Sequence, residues 1–320
     1  MGSAERVAAI DIGGTTIKGA VVDRRGRVTA QLRRPTGADR GAEAMIEALL
    51  GLAGELCSTE PRPAAIGIAV PGLVREADGV VLEATNVALH DVPVRELASE
   101  RLGTPVAVLH DVRAAALAEG LLGAARGCSD FLLLTLGTGV GAAVVLGGRP
   151  YLGAHGLGGE LGHVAVDPHG PRCKCGGVGC LEALASAGAL ARRYGQALDG
   201  DEVAERAIDG EEVVKRAAAD DPTAVRVWEE AIDALALAVV NYATLLDPEL
   251  VVIGGGLASA GHRLFDPLGE RVRAWTRFGD PVEVVRAALG EEAGRVGAAI
   301  AAWRAAGLDG SSLADWVGAV

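Results

Sequence analysis

The segment GELGHVAVDPHGPRCKCGGVGCLE, residues 159–182, gathers three of the chain's five cysteines and two of its six histidines, with a carboxylate near each end. Cys173, Cys175 and Cys180 form C-x-C-x4-C, and His163 lies ten positions upstream of the first. Three thiolates and one imidazole make a closed four-ligand set that suits Zn2+. The alternatives are unligated thiols or a redox pair, although a redox pair more often shows C-x-x-C, which is absent. Gly176, Gly177 and Gly179 permit the tight turns such a knot needs. An ion so enclosed keeps no open position for catalysis. Its task is to fix His163 and the chain around Glu160 and Glu182. Carboxylates held rigidly suit hydrogen bonds to sugar hydroxyls, and a zinc-bound His163 would offer its second ring nitrogen to another.

Asp111 ends the apolar run PVAVLHD and precedes VRAAALAEG, a strand followed by a helix. That is where α/β folds place their ligands. There an aspartate accepts the proton of a substrate hydroxyl as its oxygen attacks a γ-phosphate, or else caps the helix. Three glycine turns point to a nucleotide. In DIGGTTIKGAVVD, Gly13 and Gly14 let the backbone reach positive φ and come close to an anion, with Thr15 and Thr16 adding hydroxyls. Asp11 would hold Mg2+ directly or through water, and Lys18 lies near the phosphates or points elsewhere. No Walker A pattern is present. LGTGVGAAVV repeats the turn with Gly137, Thr138 and Gly139, and VIGGGL leaves room at Gly254, Gly255 and Gly256 for adenine or ribose. Each turn by itself also reads as an ordinary glycine hairpin. His90, His155, His169 and His262 read as loop or surface histidines, and Cys57 and Cys128 as buried thiols.

The elements that carry these residues alternate. RVAAIDIGG, IKGAVVD and RVTAQLRRPT read as strands, 41–58 as a helix, 64–72 as a strand, VRELASERLG as a helix closed by Gly103, and 105–111 as a strand. A second cycle opens at FLLLTLG and GAAVVLGG; mainly helices follow over about 183–246. ELVVIGGGLASAG is a strand, a turn and a helix start, PVEVVRAAL a late strand, and AGRVGAAIAAWRAAG a closing helix. No sequence repeat is evident. The class is α/β, with two units whose glycine turns would face each other across a phosphate-binding cleft.

With 320 residues the chain is long enough for two such lobes. Its net charge of −12 argues against a general nucleic-acid binder, and no polybasic run suggests a membrane surface. The uncharged run 131–148 resembles a membrane span, yet its Thr and Gly interruptions fit two buried strands better. No secretory start is visible, and five cysteines, an odd count, do not suggest a secreted disulfide scaffold; a cytoplasmic protein with reduced thiols is expected.

The chain resembles the ROK sugar kinases of the actin/hexokinase-like ATPase superfamily. The likeness is carried nearly end to end by DIGGTTIKGAVVD, VPGLV, TNVALHDVPVRELASERLGTPVAVLHDVRAAALAE, GTGVGAAVV, the 159–182 segment and DPELVVIGGGL. The resemblance implies a two-lobed actin-like (ribonuclease H-like) fold with a zinc-binding loop. Residues 1–110 and about 300–320 would form the smaller lobe, and 111–299 the larger one with the zinc motif. It implies ATP- and Mg2+-dependent phosphorylation of a hexose, usually at the 6-hydroxyl, by a glucokinase-like homodimer or homotetramer. Asp111 would be the catalytic base, and His163, Cys173, Cys175 and Cys180 the ligands of a structural zinc. The sugar would be held by Gly72, Asn86, His110, Asp111, Glu160, His163 and Glu182. Phosphates would lie against Gly13–Thr15 and Gly137–Gly139, with adenosine near Gly254–Leu257. The family carries Asn-Asp where this chain has His110–Asp111, which admits an amino sugar of the kanosamine, N-acetylglucosamine or N-acetylmannosamine type as the alternative substrate. Some ROK members are instead sugar-sensing repressors, with a DNA-binding segment ahead of the kinase-like part; the first turn here begins at Asp11. A non-catalytic sugar-binding protein is the remaining alternative.

Overall fold

The computed structural model describes residues 5–198 and 208–307. Residues 1–4 and 308–320 of the expected smaller lobe, and 199–207 of the expected helical stretch, lie outside them. The described residues form two compact units, one from Met1–Gly127, Arg149–Gly158 and Ala288–Val320, the other from Cys128–Gly148 and Gly159–Ala287.

The first unit opens with β1 (Arg6–Ile12), β2 (Thr16–Asp23) and β3 (Val28–Pro35), then α1 (Ala42–Cys57) and β4 (Ile66–Val70). Three short strands follow, β5 (Leu73–Arg75), β6 (Val80–Ala84) and β7 (Leu89–Val92), then α2 (Val94–Leu102), β8 (Val106–His110) and α3 (Asp111–Leu122). The main sheet runs β3-β2-β1-β4-β8. β1 and β2 are antiparallel with Asp11 opposite Lys18, and β1, β4 and β8 are parallel. β4 is buried at all five positions, which is why IGIAV is apolar throughout and not alternating. α2 stops where Gly103, at φ 59, returns its N–H to the carbonyl of Ser99. The small sheet β5-β6-β7 was not foreseen. Its strands are only three to five residues long and interleaved with charges, so no period of two builds up.

The second unit begins with β9 (Phe131–Leu136) and β10 (Val140–Leu146), leading to the two-residue β11 (Arg149–Pro150), where the chain passes back to the first unit. The apolar run 131–148 is therefore an antiparallel hairpin, Leu136 facing Val140. Among the described residues no helix is long and apolar enough to cross a membrane. Helices α4 (Leu181–Ala185), α5 (Ala187–Ala197), α6 (Gly210–Ala217) and α7 (Pro222–Leu246) precede β12 (Leu250–Gly254), α8 (His262–Trp275) and β13 (Glu283–Arg286). α7 starts on Asp221, whose Oδ1 accepts the N–H groups of Thr223 and Ala224 at 2.9 and 3.0 Å, with Pro222 at the first helical position. The sheet runs β11-β10-β9-β12-β13. The core of this unit joins β9, β10 and β12 to Leu190, Tyr194, Trp228, Ile232, Leu235 and Leu264.

The chain then returns as α9 (Ala293–Ala305). α3 and α9 cover one face of the first sheet, α1 and α2 the other. Glycine makes the α9 packing possible. A Cβ on Gly297 would stand 1.9 Å from the Ala114 carbonyl oxygen, and one on Gly67 of β4 1.8 Å from that of Ala298. Buried Glu119 ties the end of α3 to the approach to α9, accepting N–H groups of Ala124, Ala288 and Leu289 at 2.7, 3.1 and 2.8 Å.

Candidate active site

In the first unit, Asp111 follows directly on β8. Sequence reasoning offered it as a helix cap, but His110 occupies the N-cap position and Asp111 is the first helical residue. Asp111 Oδ1 accepts the Val112 N–H at 2.7 Å and lies 3.2 Å from His110 Nε2. Its side chain keeps 33% of its surface open. Crowding by protein atoms still pushes the carboxyl up to about 6, only partly offset by the Val112 hydrogen bond. Asp11 is also raised to about 6, first by burial and then by the negative charge of Asp111. Its Oδ1 lies 3.0 Å from where a Cβ of Gly294, in the first turn of α9, would stand. Two carboxyl groups that repel each other and both resist ionisation fit a divalent cation, whose charge would relieve both.

The first glycine turn differs from expectation. Neither Gly13 nor Gly14 adopts positive φ. The Gly13 N–H closes the turn onto the Thr16 carbonyl at 2.9 Å, while the space beside Gly14 is open. Residues 13–15 are exposed, as a loop that meets a ligand through its backbone would be. Lys18 points to Glu291, 3.4 Å away, and favours the ionised form of Asp11. Gly72 does need its φ of 91°, and a Cβ there would meet the Glu83 carbonyl at 2.2 Å. Asn86 is exposed in the short 3-10 turn Thr85–Val87.

Sequence reasoning missed Glu76 and Arg113. Their side chains, 18% and 4% exposed, pair at 3.1 Å, and Glu76 Oε1 also accepts the His110 N–H at 3.2 Å. Arg113 Nη2 donates to the carbonyls of Gly156 and Gly158 at 2.7 and 3.0 Å. A lone arginine in the alanine-rich helix DVRAAALAEG was the available signal.

In the second unit, the ligand atoms of His163, Cys173, Cys175 and Cys180 all lie within 4.8 Å of one another. Cys175 Sγ and Cys180 Sγ are 3.7 Å apart, and Cys173 Sγ is 3.8 Å from His163 Nδ1. A tetrahedron with Zn–S bonds of about 2.3 Å has edges of about 3.8 Å, so the donor set fits zinc in size and chemistry. The knot is braced by Cys173 N–H to the Gly177 carbonyl, 2.9 Å, and Leu181 N–H to the Val164 carbonyl, 3.0 Å. Gly179, at φ 67, passes so close to Asp167 that a Cβ would stand 1.5 Å from its carbonyl oxygen. Nδ1 faces the thiols, leaving Nε2 of the exposed His163 to point elsewhere.

The same unit brings the second glycine turn to Glu182. Glu182 Oε2 accepts the Val140 N–H at 3.1 Å. Gly137 spends its N–H on the Gly139 carbonyl at 2.9 Å, and the Ala187 N–H reaches the Gly137 carbonyl at 2.8 Å. Glu160 immediately precedes the 3-10 turn Leu161–His163, and Gly162 packs on the Val140 carbonyl so tightly that a Cβ would meet it at 2.1 Å. Of the third turn, only Gly255 uses positive φ, at 82°, packed on the Leu136 backbone. Beside it Gly256, Leu257, Ser259, Glu211, Lys215 and Arg263 line a pocket of about 160 Å³.

Residues 7–305 match the model of the ROK family. The chain belongs to the ROK family. A glucokinase of Thermotoga maritima is 37% identical over 306 residues, covering 92% of this chain and 96% of that protein. An N-acetylmannosamine kinase of Escherichia fergusonii is 32% identical over 298 residues, 92% of this chain and 97% of the other. The crystal structure of a ROK family glucokinase from Streptomyces griseus in complex with glucose and AMPPNP aligns with a TM-score of 0.79 at 32% identity, covering 93% of this chain and 99% of that one. The fold of this ROK protein is accordingly the mixed α/β fold of the ROK sugar kinases.

Proposed function

We propose that this chain is an ATP-dependent hexose kinase that phosphorylates the 6-hydroxyl of glucose or a closely related sugar. The observation that carries the reading is Asp111: a carboxylate at a strand end, one third exposed, whose Oδ1 accepts the Val112 N–H. Oδ2 takes the proton of the sugar hydroxyl while that oxygen bonds to the γ-phosphorus and the bond to the departing ADP oxygen breaks. Glu160, Glu182 and His163 Nε2 bind the remaining hydroxyls, together with Gly72 and Asn86. The turns at Gly13–Thr15 and Gly137–Gly139 approach the phosphates through the N–H groups of Gly14, Thr15, Thr138 and Gly139, those of Gly13 and Gly137 being spent within the turns. The pocket at Gly256 and Leu257 takes the adenosine, where Lys215 and Glu211 offer a donor and an acceptor to the ribose. Mg2+, held at Asp11, would neutralise charge on the phosphates. Zinc at His163, Cys173, Cys175 and Cys180 is structural, with no position open to substrate. The similarity to glucokinases and the AMPPNP complex of a relative support glucose and ATP.

A second reading, phosphorylation of an amino sugar, is favoured by His110 in place of the family's Asn and by the N-acetylmannosamine kinase relative. Measuring ADP release across glucose, mannose, N-acetylmannosamine, N-acetylglucosamine and a 3-amino-3-deoxyglucose, with ATP and Mg2+, separates the two. Glucose is expected to give the highest kcat/KM. No turnover on any of them would reject the kinase.

A further inference from the structure

The base is anchored on one side only. Asp111 Oδ1 accepts the Val112 N–H at 2.7 Å, and the His110 ring approaches the same oxygen with Nε2 3.2 Å away. The His110 side chain is 11% exposed, on an extended residue at φ −65°, ψ 138°. Its backbone is itself held: the His110 N–H donates to Glu76, which the buried Arg113 grips from α3. The backbone from which the ring projects is therefore held by the Glu76–Arg113 pair, and the ring itself lies largely buried beside the carboxylate.

We propose that His110 is a positioning residue for the base, resting on Asp111 as the base of a hexose kinase: its Nε2–H donates to Oδ1 and so fixes Oδ2 as the oxygen presented to the sugar hydroxyl. An unanchored carboxylate turns about χ2 and presents either oxygen. With the two donors on Oδ1, only Oδ2 keeps both lone pairs clear, and the reacting geometry is set before the sugar arrives. During transfer His110 neither gains nor loses a proton; the hydroxyl proton ends on Oδ2. The family's Asn has its amide nitrogen at a position like that of ring Nδ1, one bond too short for this contact. Glutamine places its amide nitrogen where Nε2 stands. The departure at position 110 therefore acts through the base and not only through the choice of sugar.

Two measurements test this. Imidazole 15N NMR of the full chain reads the ring without any turnover. The proton should reside on His110 Nε2, with a resonance that moves in Asp111→Ala; an Nε2 without a proton, or one indifferent to that substitution, overturns the proposal whatever the protein phosphorylates. In steady-state kinetics on the best sugar, His110→Leu should lower kcat by ~10-fold or more with the sugar KM little changed. His110→Gln should recover most of the loss, and His110→Asn should not. A raised KM with kcat kept would make His110 a sugar contact and overturn the positioning role. Wild-type protein inert toward every sugar would remove the kinase reading itself, a failure separate from the NMR result.

Discussion

Glu182 Oε2 lies 2.6 Å from the point where a Cβ on Gly139 would stand, so this carboxylate fills the space that the glycine leaves. The obstructing atom is the tip of a flexible side chain, and Gly139 is not at positive φ, so alanine is accommodated by moving the carboxylate. Gly139→Ala should therefore leave the melting temperature nearly unchanged while raising the KM for sugar, through the displaced Glu182. Unchanged KM in the kinetic assay would show that Glu182 does not face the sugar.

Asp111→Asn keeps the shape of the side chain and removes its capacity to take a proton. Phosphoryl transfer should fall by at least ~10², the usual size of a lost general base. Calorimetric titration with the sugar should show binding largely kept. Full turnover would assign the proton to another group.

The pH dependence follows from the raised Asp111 carboxyl. The base works ionised, so kcat/KM should fall as pH drops through about 6. Stability runs the other way. A folded-state value of about 6 against 3.8 means that the fold binds this proton more tightly than the unfolded chain does. The contribution to stability is fully present below about 3.8 and is lost as pH rises to about 6. Asp111→Asn should accordingly raise the melting temperature more at pH 8 than at pH 4, as read by thermal denaturation at the two values.

Metal analysis should find about one zinc per chain. Cys180→Ser should lose the metal and lower the melting temperature, because Cys180 is buried against Cys173 and Ala183 and its backbone bridges to Ala165. Metal-free wild-type protein with unaltered stability would leave the thiols without a structural task.

Gly297→Ala tests the packing behind the base. The added methyl meets the Ala114 carbonyl, which is backbone and cannot step aside. Overpacking of this kind costs roughly 1–3 kcal/mol or more, and urea unfolding should register it. Because α3 begins at Asp111 and α9 begins beside Asp11, turnover should fall as well.

What was legible in the sequence and what was not divides by range. β1, β2, β4, β9, β10 and β12 announced themselves because buried strands are mostly apolar, and Gly103 marked the end of α2 because glycine closes a turn at φ 59° at little cost. The grouping of His163 with the three cysteines was readable because thiols and imidazole at such spacing have few other uses. The Glu76–Arg113–Gly156 chain was not, since its members lie 37 and 43 positions apart and each looks like ordinary surface charge. Nor was the role of the turn glycines. Gly13 and Gly139 are small to keep neighbours close and not to reach positive φ, a distinction that depends on what the fold brings against them.

The strand order is used twice. β3-β2-β1-β4-β8 and β11-β10-β9-β12-β13 trace one path, each with an antiparallel hairpin followed by two parallel strands. Matched positions differ: the penultimate residue of the opening strand is Asp11 in one unit and Thr135 in the other, and the residue after the last strand is Asp111 in the first and Ala287 in the second. One strand plan thus serves two tasks, and only the first unit's version of it carries carboxylates at these two strand ends.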